Sequence, residues 1–296
     1  MFSGSSVAII TPFRNGSVDE EAFGELIEYQ IRNRTRGIVP CGSTGESATL
    51  SYREHERVIE LAVRRARGRV PVIAGTGSNS TAEAISLTRH ARQAGADAAL
   101  VIVPYYNKPT QRGLYGHFSA VARSVPIPMI LYNIPSRTGV NLEPETLVRL
   151  ATRHKNIVGV KESSGDLEQA GEIVRSLRGR RDFAVISGDD SLTLPILSVG
   201  GKGVISVLAN IAPRDVAGLC SSFRKKDFAR ALRLHQKALP LLKTLFAETN
   251  PAPIKAAMEM LGFCSSEVRP PLCGLESGHR RSLARELRSY GLRRRG

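Results

Sequence analysis

Short apolar runs alternate along most of the chain with longer stretches in which apolar residues recur every three to four positions. The runs at 7–10, 37–40, 70–74, 98–103, 129–132, 157–161, 183–187 and 203–207 read as eight strands. Their apolar residues are continuous rather than interleaved with polar ones, which indicates burial on both faces and hence a parallel sheet. The stretches between them, near 19–34, 53–67, 81–94, 111–124, 144–153, 166–178, 190–199 and 213–224, carry the helical period. Punctuation supports this division. Glu83 falls in the first turn of the helix opening at Thr81, Pro144 sits early in another, and Gly95 follows Ala94 where a helix should stop. Eight strand–helix units can close into a (β/α)8 TIM barrel of the α/β class, and this count favours closure over an open doubly wound sheet. After residue 224 the alternation ends. Residues 226–247, 252–261 and 279–290 read as helices, with Asn250-Pro251 and Pro270-Pro271 as punctuation. The predicted organisation is a barrel carrying the active site over 1–224 and a C-terminal helical appendix over 225–296.

Composition narrows the class. A chain of 296 residues, 42% hydrophobic and 23% charged, is that of a globular protein, long enough for one barrel with an addition. No run reaches the ~18 apolar residues of a membrane span. The start, Met1-Phe2-Ser3-Gly4-Ser5-Ser6, lacks the basic and apolar regions of a secretory signal. Cys41, Cys220, Cys264 and Cys273 form no CxxC pair and suit neither a zinc knuckle nor a disulfide framework, so a reducing cytoplasm is the expected compartment. The formal charge of +15 raises a nucleic-acid reading. Its distribution argues against one. Residues 280–296 hold seven Arg and one Glu, and the rest is scattered along helices, with no basic stretch interleaved with stacking aromatics and no Trp anywhere. A solvated basic surface is the expectation, with neither a nucleic-acid nor a membrane partner.

In a barrel of this kind the chemistry sits at the C-terminal ends of the strands. The second strand ends in Cys41-Gly42-Ser43-Thr44-Gly45-Glu46, whose glycines and hydroxyls suit a tight turn facing an anion, although such turns are also common without a ligand. The sixth ends in Val160-Lys161-Glu162. A lysine at the end of an apolar strand is unusual, and burial there would favour its uncharged form, a nucleophile toward a carbonyl; snorkelling or a pair with Glu162 is the bland alternative. The fifth ends in Tyr132-Asn133-Ile134-Pro135-Ser136-Arg137-Thr138-Gly139, a phenol able to relay protons followed by an arginine able to grip a carboxylate. Tyr105 and Tyr106 follow the fourth strand, where a phenol pair alone more often serves packing or an interface than catalysis. The seventh strand ends in Ser187-Gly188-Asp189-Asp190 and the eighth gives Gly203-Val204-Ile205-Ser206, whose glycines would let a ligand approach the backbone. The six histidines are isolated, neither HxH nor HExxH occurs, and no GxGxxG, Walker or GxSxG motif is present. A site without metal or cofactor is expected, its nucleophile supplied by the chain.

These strand ends carry a likeness. The chain resembles the pyruvate-dependent, Schiff-base-forming aldolase and lyase family through Gly42-Ser43-Thr44-Gly45-Glu46, Tyr132-Asn133-Ile134-Pro135 and Gly159-Val160-Lys161-Glu162, in this order and over almost its whole length. Ser136-Arg137-Thr138-Gly139 and Pro104-Tyr105-Tyr106-Asn107 narrow it to the branch that condenses pyruvate with L-aspartate 4-semialdehyde, in lysine and diaminopimelate biosynthesis. The resemblance implies that Lys161 forms an imine with pyruvate, and that Tyr132, Ser43 and Tyr106 relay protons, Tyr106 reaching in from a neighbouring subunit. It implies that Thr44, Gly188 and Ile205 hold the keto acid, and that Arg137 binds the carboxylate of the semialdehyde. Ser43 stands where the family's relay carries threonine. The resemblance further implies a homo-oligomer, a dimer of dimers, and an allosteric lysine site at Ala48, Tyr52, His55, Gly77, Asn79, Glu83 and Tyr105; Tyr52 replaces a histidine found in some lysine-sensitive members. A sibling aldolase or dehydratase acting on sugar acids is the alternative, with Arg137 as the discriminating residue.

Overall fold

The structure, a computed structural model, describes residues 2–294. Met1, Arg295 and Gly296, which end the two expected domains and include one arginine of the basic tail, lie outside the described residues. Among the described residues, eight parallel strands share one sheet. They are β1 Gly4–Ala8, β2 Gly37–Val39, β3 Ile73–Gly75, β4 Ala98–Ile102, β5 Met129–Asn133, β6 Ile157–Glu162, β7 Ala184–Ser187 and β8 Gly203–Ser206. Neighbours run β2-β1-β8-β7-β6-β5-β4-β3. The two ends meet, because Ile38 bridges Val72 and the Ile38 and Gly75 amides donate to the carbonyls of Pro71 and Pro40, each at 2.9 Å. The sheet is a closed barrel, as the strand count led one to expect.

A helix follows each strand: α1 Glu20–Arg32, α2 Tyr52–Ala66, α3 Thr81–Gln93, α4 Gln111–Ser124, α5 Pro144–Arg153, α6 Leu167–Ser176, α7 Thr193–Ser198 and α8 Pro213–Arg224. Their starts are set by side chains that take up free amides. Asp19, Ser80, Thr110 and Asp166 accept from the amides of Ala22, Glu83, Gly113 and Gln169, and Ser51 with Glu54 forms a reciprocal capping box. The appendix is α9 Phe228–Leu245, α10 Ala252–Met260 and α11 Ser277–Tyr290.

The expected strands all appear, two of them displaced. β1 begins at Gly4 rather than residue 7, because Ser5 and Ser6 are polar yet buried, and an apolar run cannot show them. β3 begins at Ile73 rather than residue 70. A small hairpin pairing Phe13–Arg14 with Ser17–Val18 and a one-turn helix at Pro135–Thr138 are too short to leave a periodic signal.

Both faces of the sheet are packed, with a period of two. Ala8, Val39, Ile73, Leu100, Ile130, Tyr132, Ile186 and Ile205 form one cluster inside the barrel. Alternate residues such as Val7, Val101, Leu131, Val160, Val185 and Val204 pack outward in the clusters that include the helices. The appendix joins this outer layer: Leu241, Leu245, Ile254, Leu283 and Leu287 share a cluster with Val7, Ile38 and Val204.

Candidate active site

β5 and β6 pair so that Tyr132 stands opposite Lys161. Tyr132 belongs to the interior cluster, so the register turns Lys161 inward as well. Lys161 is 6% exposed, and its Nζ lies 3.9 Å from the centre of the Tyr132 ring. Glu162 points the other way. Its carboxylate accepts from Asn133 Nδ2 at 3.2 Å, from the Ser164 amide at 2.7 Å and from Gln169 Nε2 at 3.1 Å. The expected bland partner of Lys161 is thus engaged elsewhere.

Gly188 follows β7 directly beside this lysine. A β-carbon there would lie 2.7 Å from Lys161 Cε and 1.9 Å from Ser163 Oγ, so only glycine leaves both side chains in place. Ile205 closes the interior cluster on β8.

Ser43 and Thr44 sit in the loop after β2. The loop turns tightly, with the Gly45 amide donating to Gly42 at 3.0 Å and the Glu46 amide to Ser43 at 3.2 Å. Cys41 and Glu46 take left-handed φ values of 54° at its two ends. Thr44 is buried, and its Oγ1 accepts from Asn250 Nδ2 at 2.9 Å. Glu46 is buried too and pairs with the fully buried Lys255, while its Oε2 accepts from the Arg269 amide at 3.0 Å. Lys255 also donates to the Glu267 carbonyl at 2.8 Å and lies 3.9 Å from the centre of the Phe13 ring. Burial pushes its pKa below the usual lysine range, against the pull of the Glu46 carboxylate.

Arg137 is carried by the one-turn helix, which ends on Gly139 at φ +74°. Its Nη2 donates to the Asn250 carbonyl at 3.0 Å. Arg137, Ser43 and Asn250 open on one cleft of about 600 Å³. Tyr106 is not drawn toward Lys161 within the single chain: it stands 89% exposed on the rim, at φ +69°.

Ala48, Tyr52, His55, Gly77, Glu83 and Tyr105 line the same cleft. Asn79 stands beside Ser78, and its carbonyl accepts from Asn107 Nδ2 at 2.9 Å. Ser78 and Tyr52 donate to Glu83, Tyr52 at 2.6 Å, and hold its carboxyl below the usual carboxylate range. Burial lowers the His55 pKa to about 4, leaving a neutral ring at neutral pH.

The residues that tie this mouth together, Asn250, Lys255 and Arg269, were not singled out in the sequence. Asn250-Pro251 gave only a sign of chain punctuation, and Lys255 lies in an apolar helix that reads as core. On the appendix, Glu248, Glu276 and His279 bring potential metal-binding atoms within 4.8 Å of one another, although His279 Nδ1 already pairs with Glu248 at 2.7 Å. Among the described residues no helix is long and apolar enough to cross a membrane.

Comparison with known proteins agrees over the full length. The model of the dihydrodipicolinate synthetase family matches residues 1–290. The 4-hydroxy-tetrahydrodipicolinate synthase of Syntrophus aciditrophicus (strain SB) is 56% identical over 292 residues, covering 99% of each chain. The crystal structure of dihydrodipicolinate synthase from Aquifex aeolicus superposes with a TM-score of 0.97 at 52% identity, covering 100% of both chains. A dihydrodipicolinate synthase from Cyanidioschyzon merolae with lysine bound superposes with a TM-score of 0.95 at 40% identity, covering 98% of this chain and 99% of that one. The chain belongs to the dihydrodipicolinate synthetase family.

Proposed function

We propose that this chain condenses pyruvate with L-aspartate 4-semialdehyde to 4-hydroxy-tetrahydrodipicolinate, in lysine and diaminopimelate biosynthesis. The observation that carries the reading is the buried Lys161 amine 3.9 Å from the Tyr132 ring, inside the barrel mouth. Relatives that bear the synthase name at 56% identity over nearly the whole chain support it.

The Lys161 amine attacks the pyruvate ketone, and the resulting carbinolamine loses water to an imine. Tyr132 takes and returns protons in these steps, with Ser43 continuing the relay and Tyr106 entering from a second copy of the chain. Loss of a C3 proton gives an enamine, which forms the carbon–carbon bond to the aldehyde. The amine of the semialdehyde then attacks the imine carbon, closes the ring and expels Lys161, so one water is released per turnover. Thr44 and the backbone at Ile205, beside the open face of Gly188, hold the carboxylate of pyruvate. Arg137 takes that of the semialdehyde.

The exposure of Tyr106 suits a residue that another subunit receives, and a dimer of dimers is the assembly we propose. The lined cleft at His55, Glu83 and Tyr105 is the site proposed for lysine, supported by the lysine-bound relative. The setting we propose is the cytoplasm.

Borohydride reduction in the presence of pyruvate should add the reduced pyruvyl group to Lys161, read by peptide mass. An intact Lys161 after reduction would sink the imine mechanism. Turnover with the semialdehyde should exceed cleavage of sugar acids, and the reverse order would favour the sibling aldolase reading.

A further inference from the structure

Asn250 precedes α10, 206 positions along the chain from Thr44, and is 6% exposed. Its side chain and its backbone serve different partners. Nδ2 donates to Thr44 Oγ1 at 2.9 Å, and the main-chain carbonyl accepts from Arg137 Nη2 at 3.0 Å. Among the described residues its Oδ1 is buried with no hydrogen-bond partner. A buried amide with an unmet oxygen is costly, a cost that an apolar residue of similar size would avoid. What the amide gains is the bond to Thr44.

That bond decides which way the threonine works. A hydroxyl has one proton to donate and two lone pairs to accept with. Once Asn250 occupies one lone pair, the Thr44 hydroxyl still has its proton to donate, and that proton can serve an anion. On the other side, the Asn250 carbonyl takes one of the five N–H groups of Arg137 and leaves the rest of the fork for a ligand. Thr44 and Arg137 come from different loops, after β2 and β5, and Asn250 is in contact with both.

We infer that Asn250 is a positioning residue which, through its side chain, makes Thr44 a fixed donor to the carboxylate of pyruvate and, through its backbone, aligns Arg137 for the carboxylate of the second substrate. The inference rests on the roles proposed above for Thr44 and Arg137. It separates the two substrates, since a side-chain substitution removes the first contact and spares the second.

The test is a comparison of the full-length protein with Asn250→Ala, Thr44→Val and the double variant. The pyruvate concentration for half-maximal borohydride trapping and the KM of each substrate are measured. Asn250→Ala should raise half-saturating pyruvate about tenfold while trapping remains complete at saturation. The KM for the semialdehyde should move less than about threefold. In the Thr44→Val background, Asn250→Ala should add no further rise, because the hydroxyl it orients is gone. Unchanged half-saturation in Asn250→Ala, equal increments in both backgrounds, or a fall in kcat with both KM values kept would overturn the role. If Asn250→Ala does not fold, Asn250→Asp keeps the size and removes the donor. It should raise half-saturating pyruvate by more than tenfold, and an unchanged value would again overturn the role. Absence of any adduct in the unaltered protein would instead strike the imine reading beneath it.

Discussion

Lys161 and Tyr132 face each other because of register, and register makes their geometry a consequence of the barrel rather than of any loop. It sets the Lys161 amine over the face of the Tyr132 ring, 3.9 Å from its centre. Tyr132→Phe keeps the ring and deletes the hydroxyl, so it should lower kcat by about 10²–10⁴-fold while the KM for pyruvate stays within a few-fold; steady-state kinetics with pyruvate varied will check this. Both residues were legible in the sequence, since a lysine and a tyrosine that end apolar strands stand out against their surroundings. Asn250 was not. It is polar, it precedes a proline, and its meaning lies in Thr44 and Arg137, which are remote in sequence and visible only once the chain has folded.

The loop after β2 shows the same limit among the elements. Its glycines and hydroxyls announced a turn, but what holds the turn arrives from the appendix: Lys255 on the Glu46 carboxylate, and Arg269 on its other oxygen and on Glu54. The Arg269 fork holds the Glu54 carboxyl near a pKa of about 2, and Glu54 in turn caps α2. Breaking a buried pair leaves one charge unpaired in a dry site, at a cost of about 3–5 kcal/mol. Glu46→Gln and Lys255→Met should each lower stability by about that amount in denaturant titrations, and the double variant should lose less than their sum. Equal additive losses would show that the two groups do not act as a pair. Helix and strand spans were readable because long periodic segments carry their own pattern. The hairpin at Phe13–Arg14 and the one-turn helix that bears Arg137 were not, because two to four residues carry no period.

For the molecule as a whole, pH and charge act on different properties. Burial lowers both His55 and His117 to pKa values of about 4, below the ~6.5 of a solvated histidine. An unfolded chain therefore binds these protons first. The stability they confer is complete above ~6.5 and is lost as the pH falls toward 4, on the order of 3 kcal/mol for each ring. Melting temperatures measured across that window should decline, and His117→Phe should flatten the decline if the protein remains folded. The net charge of +15 bears on encounter rather than on folding. Two carboxylate substrates meet a positive field, so kcat/KM should fall with added salt, and a flat salt profile would remove the field from the account. The mouth of the barrel also has a history in time. A chain made from its N-terminus outward has Glu46 in place long before Lys255, and Thr44 long before Asn250. All eight strands can emerge while the loop after β2 still lacks the contacts from Asn250, Lys255 and Arg269 that hold it. The last quarter of the chain, whose helices also pack in one cluster with Val7, Ile38 and Val204, thus completes the mouth only after every strand has been made.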